Sequence, residues 1–183
     1  MNYSFESFRM GFRPLTIFDQ NFLYDLDGDP AVMKFVETRR AKNMEEVKAT
    51  LARIMDRNKE WNKSNYGLWV AEDKETRETI GWFALKPLPG YPDIELGYRL
   101  KKKFWGNGYA TEGGARLLQM AFFQLGLLEV CAITDPEHKA SQQVLKKLGF
   151  VHVDQRPYQS PNPGTKPEQV DFFLIKKADL RPT

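Results

Sequence analysis

The chain has 183 residues, 42% of them hydrophobic and 28% charged, with a formal net charge of +3; a chain of this kind can bury roughly two-thirds of its unfolded surface without staples. A single cysteine, Cys131, excludes an intrachain disulfide and a cysteine-based metal cluster. No apolar run reaches membrane-span length, the first residues hold a glutamate and no signal-peptide core, and the scattered basic residues do not mark a nucleic-acid surface.

Phe8 to Leu15 carries strand-forming residues and ends around Pro14, which predicts a short first strand. Asp19 to Phe35 reads as a helical pair broken at Asp27-Gly28-Asp29-Pro30, with Pro30 suited to the first turn of the second helix. Asn43 is a candidate N-cap with Glu45 and Glu46 in the first turn, and Val47, Leu51, Ile54 and Met55 then recur at helical spacing toward Trp61. The period then changes to two. Tyr66–Glu72 and Glu78–Leu85 predict an antiparallel pair joined by the polar turn 73–76, and a Pro/Gly loop precedes a further strand at Ile94–Leu100.

Gly106 and Gly108 follow, and then a helix whose apolar face includes Leu117, Leu118, Ala121 and Phe122 and which ends at Gly126. Glu129–Thr134 predicts a strand, and Ala140–Leu148 a helix stopped by Gly149. Phe150–Gln155 and Val170–Lys176 predict a closing pair joined by a long loop from Pro157 to Pro167. The expectation is an α/β fold in one domain over residues 1–183, with helices packed on a mixed sheet, in a reducing cytoplasm.

The unit strand, Gly-x-Gly, helix is the part that speaks of chemistry. Two glycines allow a tight backbone turn and close approach of a ligand, and the helix behind them offers free N–H groups to an anion. A plain strand-to-helix turn would look the same. A dinucleotide fingerprint would need a third glycine at position 111, where Thr111 stands. Lys101, Lys102 and Lys103 read either as solvated gatekeepers at a strand end or as electrostatic support for phosphates. The lysine run is also the sole basis for a nucleic-acid-binding alternative.

The segment Ile94-Glu-Leu-Gly-Tyr-Arg-Leu through Phe104-Trp-Gly-Asn-Gly-Tyr-Ala-Thr-Glu112 closely resembles the acetyl-CoA motif of the Gcn5-related N-acetyltransferases (GNAT). Within them it looks most like the ribosomal-protein N-terminal acetyltransferase (RimJ/RimL-like) branch. The similarity continues through Thr134-Asp-Pro-Glu-His-Lys-Ala-Ser141 and Val144-Leu-Lys-Lys-Leu-Gly-Phe150, to Asp171-Phe-Phe-Leu-Ile-Lys-Lys177. It is specific from 94 to 150 and loose from 28 to 65.

The resemblance implies a mostly antiparallel seven-stranded sheet with about four helices. It implies acetyl-CoA as cosubstrate and no metal. Tyr98, Arg99 and Leu100 take the positions that pair with the pantetheine arm. Lys103, Gly106, Asn107, Gly108, Tyr109 and Ala110 take those of the pyrophosphate loop, Lys103 being a mild departure from the family pattern. His138 stands where the family places an asparagine against the cofactor. Leu145 stands where many members carry an acidic tyrosine, which leaves Ser141 as the candidate general acid. Glu95 is the candidate general base, acting through water. Cys131, in an apolar strand, reads as a buried, inert thiol.

The implied reaction is direct attack of a primary amine on the thioester in a ternary complex. The acceptor is a protein N-terminal α-amine or a small-molecule amine, and the enzyme a monomer or homodimer. A non-catalytic CoA-binding sensor of the same fold is the alternative. Phe35, Thr38, Arg39, Arg40, Trp61, Trp82, Tyr91 and Tyr158 are candidates for the acceptor side.

Overall fold

The computed structural model describes residues 3–36, 40–162 and 165–180. Its strands are β1 (Phe5–Glu6), β2 (Met10–Pro14), β3 (Gly67–Asp73), β4 (Thr79–Pro87), β5 (Ile94–Leu100), β6 (Glu129–Thr134), β7 (Val151–Tyr158) and β8 (Glu168–Lys176). Its α-helices are α1 (Gln20–Asp27), α2 (Pro30–Met33), α3 (Met44–Trp61), α4 (Tyr109–Gln119) and α5 (Lys139–Lys147). The strands form one sheet in the order β1-β2-β3-β4-β5-β6-β8-β7, antiparallel throughout except for β5 beside β6.

The expectation of seven strands and about four helices is corrected to eight strands and five α-helices among the described residues. The added strand is the two-residue β1, which pairs Phe5 with Phe12 and stacks the two rings at 4.7 Å. Two residues carry no detectable alternation, so only the tertiary pairing defines this strand. The first predicted strand, 8–15, shortens to Met10–Pro14. The long loop predicted at 157–167 also shrinks, because β7 runs through Pro157 to Tyr158 and β8 begins at Glu168. β7 is an edge strand, where a proline leaves no ladder bond unmade.

The helices cover both faces. α4, the π-helical turn Met120–Gln124 that continues it, and α5 with its C-cap bury Leu117, Leu118, Phe122, Leu145 and Leu148 against Phe12, Phe83, Leu85, Leu96, Val130 and Phe173. On the other face α1, α2 and α3 bury Leu23, Leu26, Val32, Val47 and Leu51 against Leu68, Val70 and Ala84. α3 begins as its sequence indicates: the Asn43 side chain accepts from the Glu46 N–H and the Glu46 carboxylate accepts from the Asn43 N–H. It is pinned to the sheet by Asn58, whose amide donates to the Leu68 carbonyl and accepts from the Leu68 N–H. None of the described helices is long and apolar enough to cross a membrane.

Two glycines inside α4 explain how closely it lies on the sheet. A Cβ at Gly113 would stand 2.3 Å from the Phe83 ring, which is fully buried, and one at Gly114 would stand 2.6 Å from Leu148 Cδ1. A buried ring has nowhere to move, whereas the end of a leucine can change rotamer. Gly113→Ala is therefore expected to destabilise the fold by about 1–3 kcal/mol despite its better helix propensity. Gly114→Ala is expected to stay within about 1 kcal/mol of the parent. Urea denaturation of the two variants checks the difference.

Candidate active site

β5 and β6 run parallel but share one register pair, Glu95 opposite Cys131. Beyond it the two strands separate, and residues 95–100 of β5 and 132–135 at the end of β6 line a common cavity of about 830 Å³. Small-molecule sites usually fall between about 300 and 1,000 Å³, so there is room here for an extended ligand with a second one beside it. The cavity opens at the carboxyl ends of the two parallel strands, where an α/β sheet places its ligands. Two helix N-termini, of α4 and α5, face the same opening.

The turn into α4 has the geometry its glycines permit. Gly106 and Gly108 have φ of +75° and +82°, and nothing lies within 4 Å of a Cβ built at Gly106. The turn is held from behind. The Arg9 guanidinium donates to the Asn107 carbonyl at 3.0 Å and to the Glu112 carboxylate at 2.7 Å, and it lies 4.0 Å over the Tyr109 ring. Glu112 also accepts from the Arg9 N–H and the Ser7 hydroxyl. Tyr109 donates to Asp73 at 2.9 Å. Arg9 and Glu112 are 103 positions apart, so no local pattern in the sequence announces this brace.

Of the residues singled out from the sequence, Glu95, Tyr98, Arg99, Leu100, Gly106, Gly108, Tyr109, Ala110, His138 and Ser141 all line the cavity. Lys103 and Asn107 do not. Lys103 is ion-paired with Glu78 on the outer side, and the Asn107 side chain bonds back to the Trp105 carbonyl. On the helical side, Phe35, Trp61, Trp82 and Tyr158 line the cavity. Tyr91 instead packs near Phe172 and donates to the Pro157 carbonyl. Arg40 is exposed and pairs with Glu46, while Thr38 and Arg39 lie outside the described residues.

The two candidate proton-transfer groups have distinct surroundings. Glu95 is buried, with 7% of its surface exposed, and its Oε2 is ion-paired with Lys86 on the neighbouring strand. Oε1 lies near Gly97, where the Trp82 ring and the Lys86 chain also approach. Ser141, on the first turn of α5, shares a 3.1 Å hydrogen bond with the Tyr98 hydroxyl, either group donating. Burial pushes the Tyr98 phenol up to about 12, with the Ser141 bond opposing; the pair is thus neutral at ordinary pH. His138 precedes α5 and stacks on Phe35 with ring centroids 4.3 Å apart. Burial lowers its pKa, and Asp135 partly opposes that. Cys131 is fully buried, and burial together with Glu95 and Asp93 raises its thiol pKa, which leaves no thiolate to react.

A buried charge cluster joins the cavity's halves. Asp27, 2% exposed, accepts from Lys42 at 2.8 Å and from Arg99 at 2.6 Å. It ties the end of α1, the segment before α3 and the strand β5 together. Lys86, Asp27 and Lys42 were not recognisable as site residues from spacing, because each acquires its place only when β4, α1 and the segment before α3 meet.

A family model described as an acetyltransferase (GNAT) domain matches residues 9–151. Over an alignment of 183 positions the chain is 32% identical to the FsC-acetyl coenzyme A-N(2)-transacetylase of Aspergillus fumigatus, covering 94% of this chain and 76% of that protein. Among solved structures, it superposes on spermidine N-acetyltransferase from Vibrio cholerae, in complex with CoA and spermine, with a TM-score of 0.71 at 17% identity, covering 93% of this chain and 97% of that one. For the ribosomal-protein-S5-alanine acetyltransferase from Vibrio fischeri the TM-score is 0.72 at 19% identity, over 99% and 100% of the two chains. At these identities the structural likeness shows the fold alone.

The Asp27 cluster gives a pH-dependent prediction. Burial opposes ionisation of Asp27, but Arg99 and Lys42 outweigh it and hold the carboxyl below its ordinary 3.8. Its contribution to stability is therefore complete above that value and is lost as pH falls through the lower folded-state value. Asp27→Asn strands two cations and is expected to cost about 3 kcal/mol at neutral pH. Urea denaturation down to pH 3 should show the gap between parent and variant closing at the acid end.

Proposed function

We propose a particular transfer reaction from one premise: this chain belongs to the GNAT acetyltransferase family. The reaction is acetyl transfer from acetyl-CoA to a primary amine by direct attack in a ternary complex. The observation that carries it is the convergence of Glu95, the Tyr98–Ser141 pair and the braced Gly106–Gly108 turn on one cavity. The fungal relative's name specifies a nitrogen acceptor, which supports the same kind of reaction here.

The residues fit the donor in three ways. Free N–H groups at the start of α4, behind two glycines in the left-handed region, suit a pyrophosphate. The edge of β5 beyond Glu95 is unpaired on its β6 side, so its backbone around Tyr98–Leu100 can pair with an amide-containing arm. The first turn of α5 meets that edge where Ser141 bonds to Tyr98, and His138 precedes it along the same cavity. Acetyl-CoA supplies an activated acetyl carbonyl when bound.

Glu95 Oε1 takes the proton from the acceptor ammonium, directly or through a water, as the amine nitrogen bonds to the acetyl carbon. The carbon–sulfur bond breaks, the Ser141 hydroxyl donates its proton to the departing sulfur, and Ser141 takes back the second proton lost by the nitrogen, which leaves a neutral amide, a thiol and a neutral serine. The Tyr98 hydroxyl, bonded to Ser141 Oγ, orients that donor. Positioning two reactants in one cavity supplies much of the rate. A buried carboxylate already engaged by Lys86 suits an acceptor that needs little base strength. An α-amine near pKa 8 meets that condition, whereas freeing a lysine amine near 10.4 at neutral pH costs about 4 kcal/mol.

Calorimetric titration with acetyl-CoA, followed by an acceptor screen read by mass spectrometry, tests the proposal; absence of binding at millimolar donor overturns it. Glu95→Gln and Ser141→Ala are each expected to lower kcat by about 10- to 100-fold with the Kd for acetyl-CoA unchanged. Arg9→Ala should do the reverse. Loosening the braced turn is expected to raise the Kd by about tenfold, with kcat nearly unchanged.

A further inference from the structure

The acceptor side of the cavity has a chemical preference. One face of α3, made of Thr50, Ile54, Arg57 and Trp61, lines it at successive helical turns. Trp82 and Lys86 of β4 and Glu95 of β5 line the same cavity. Both carboxylates on this side are occupied: Asp27 holds Lys42 and Arg99, and Glu95 holds Lys86. Arg57 has no ion pair or hydrogen bond among the described residues and is half-buried. Lys34, over the Phe35 ring, adds another cation. The cavity's remaining carboxylates, Asp135, Glu137 and Glu168, belong to the turn after β6 and to β8.

A diamine or polyamine would need a free carboxylate for its distal ammonium. On this wall it would meet Arg57, Lys86 and the net positive Asp27 cluster instead. An unpartnered guanidinium in a partly desolvated cleft recognises a planar anion through two parallel N–H donors. We propose that the acceptor is a primary amine carrying a carboxylate, and that Arg57 is the specificity-determining residue that binds that carboxylate while Trp61 and Trp82 flank its carbon chain. This rests on the amine-acetylation reading above.

The test uses the full chain and matched probes: straight-chain amino acids of increasing length, the corresponding amino carboxamides, and the corresponding diamines. Initial rates with acetyl-CoA are followed by thiol release. Binding of the same probes to the CoA-loaded protein is followed by saturation-transfer NMR. The expected result is a preference of at least about tenfold in kcat/KM for the best carboxylate over its carboxamide, the effect of one charge-assisted contact. Arg57→Gln should remove the preference, and Arg57→Lys should restore part of it. Equal rates for the two series, a preference for diamines, or a preference that survives Arg57→Gln overturns the assignment and leaves amine acetylation standing. If no probe is acetylated, amine acetylation is left to the acceptor screen above, and binding decides the subsite: carboxylate-selective binding lost in Arg57→Gln sustains it, and unselective binding overturns it.

Discussion

The parallel contact between β5 and β6 is confined to Glu95 and Cys131, and the working parts of the molecule follow from that. β5 is zipped along its whole length to β4, and β6 along its whole length to β8. Each half of the sheet is thus satisfied on its outer side, and the halves touch at one point. Past that point the facing edges of β5 and β6 present backbone N–H and C=O groups to a cleft rather than to each other. In most sheets such an edge is a liability; here it lies inside the molecule, between α4 and α5, where an extended ligand can pair with it.

Parallel pairing also decides what surrounds the cleft. Both strands run toward the same end of the sheet, so the helices that follow them begin there. α4 brings the Gly106–Gly108 turn, and α5 brings His138 and Ser141. The close seating of α4, with Gly113 against Phe83, keeps its N-terminus at the mouth. Arg9 and Glu112 then fix the turn from the outside. The side of the cavity at α4 and α5 is therefore built from regular elements and their first turns.

The side of the cavity at α1, α3 and β4 is held by charge instead. Asp27 gathers a cation from β5 and another from the segment before α3, and Lys86 occupies Glu95. Such pairs contribute little net stability, because desolvation offsets much of the attraction. What they supply is placement. They hold Glu95 against Lys86, and they leave Arg57 as a guanidinium on that wall with no counterion among the described residues.

The periodic elements and the Gly106–Gly108 turn are legible in the linear order. α3 announced its capping box, β5 its alternation, and the Gly106–Gly108 pair its backbone, because those signals depend on neighbours within one or two turns of chain. The sequence also brought Glu95, Tyr98, Ser141 and His138 forward, though only through resemblance of a motif, with no distance between them. Only the tertiary structure decided that Tyr98 meets Ser141, that Lys86 holds Glu95, that Arg9 braces a turn far along the chain, and that Lys103 turns outward to Glu78. Apart from Lys86 and Glu95, which face each other on consecutive strands, those are contacts between segments far apart in the chain. Side-chain charge and hydroxyl groups have no periodicity, so nothing in the linear order tells which partner the folded sheet will bring within 3 Å.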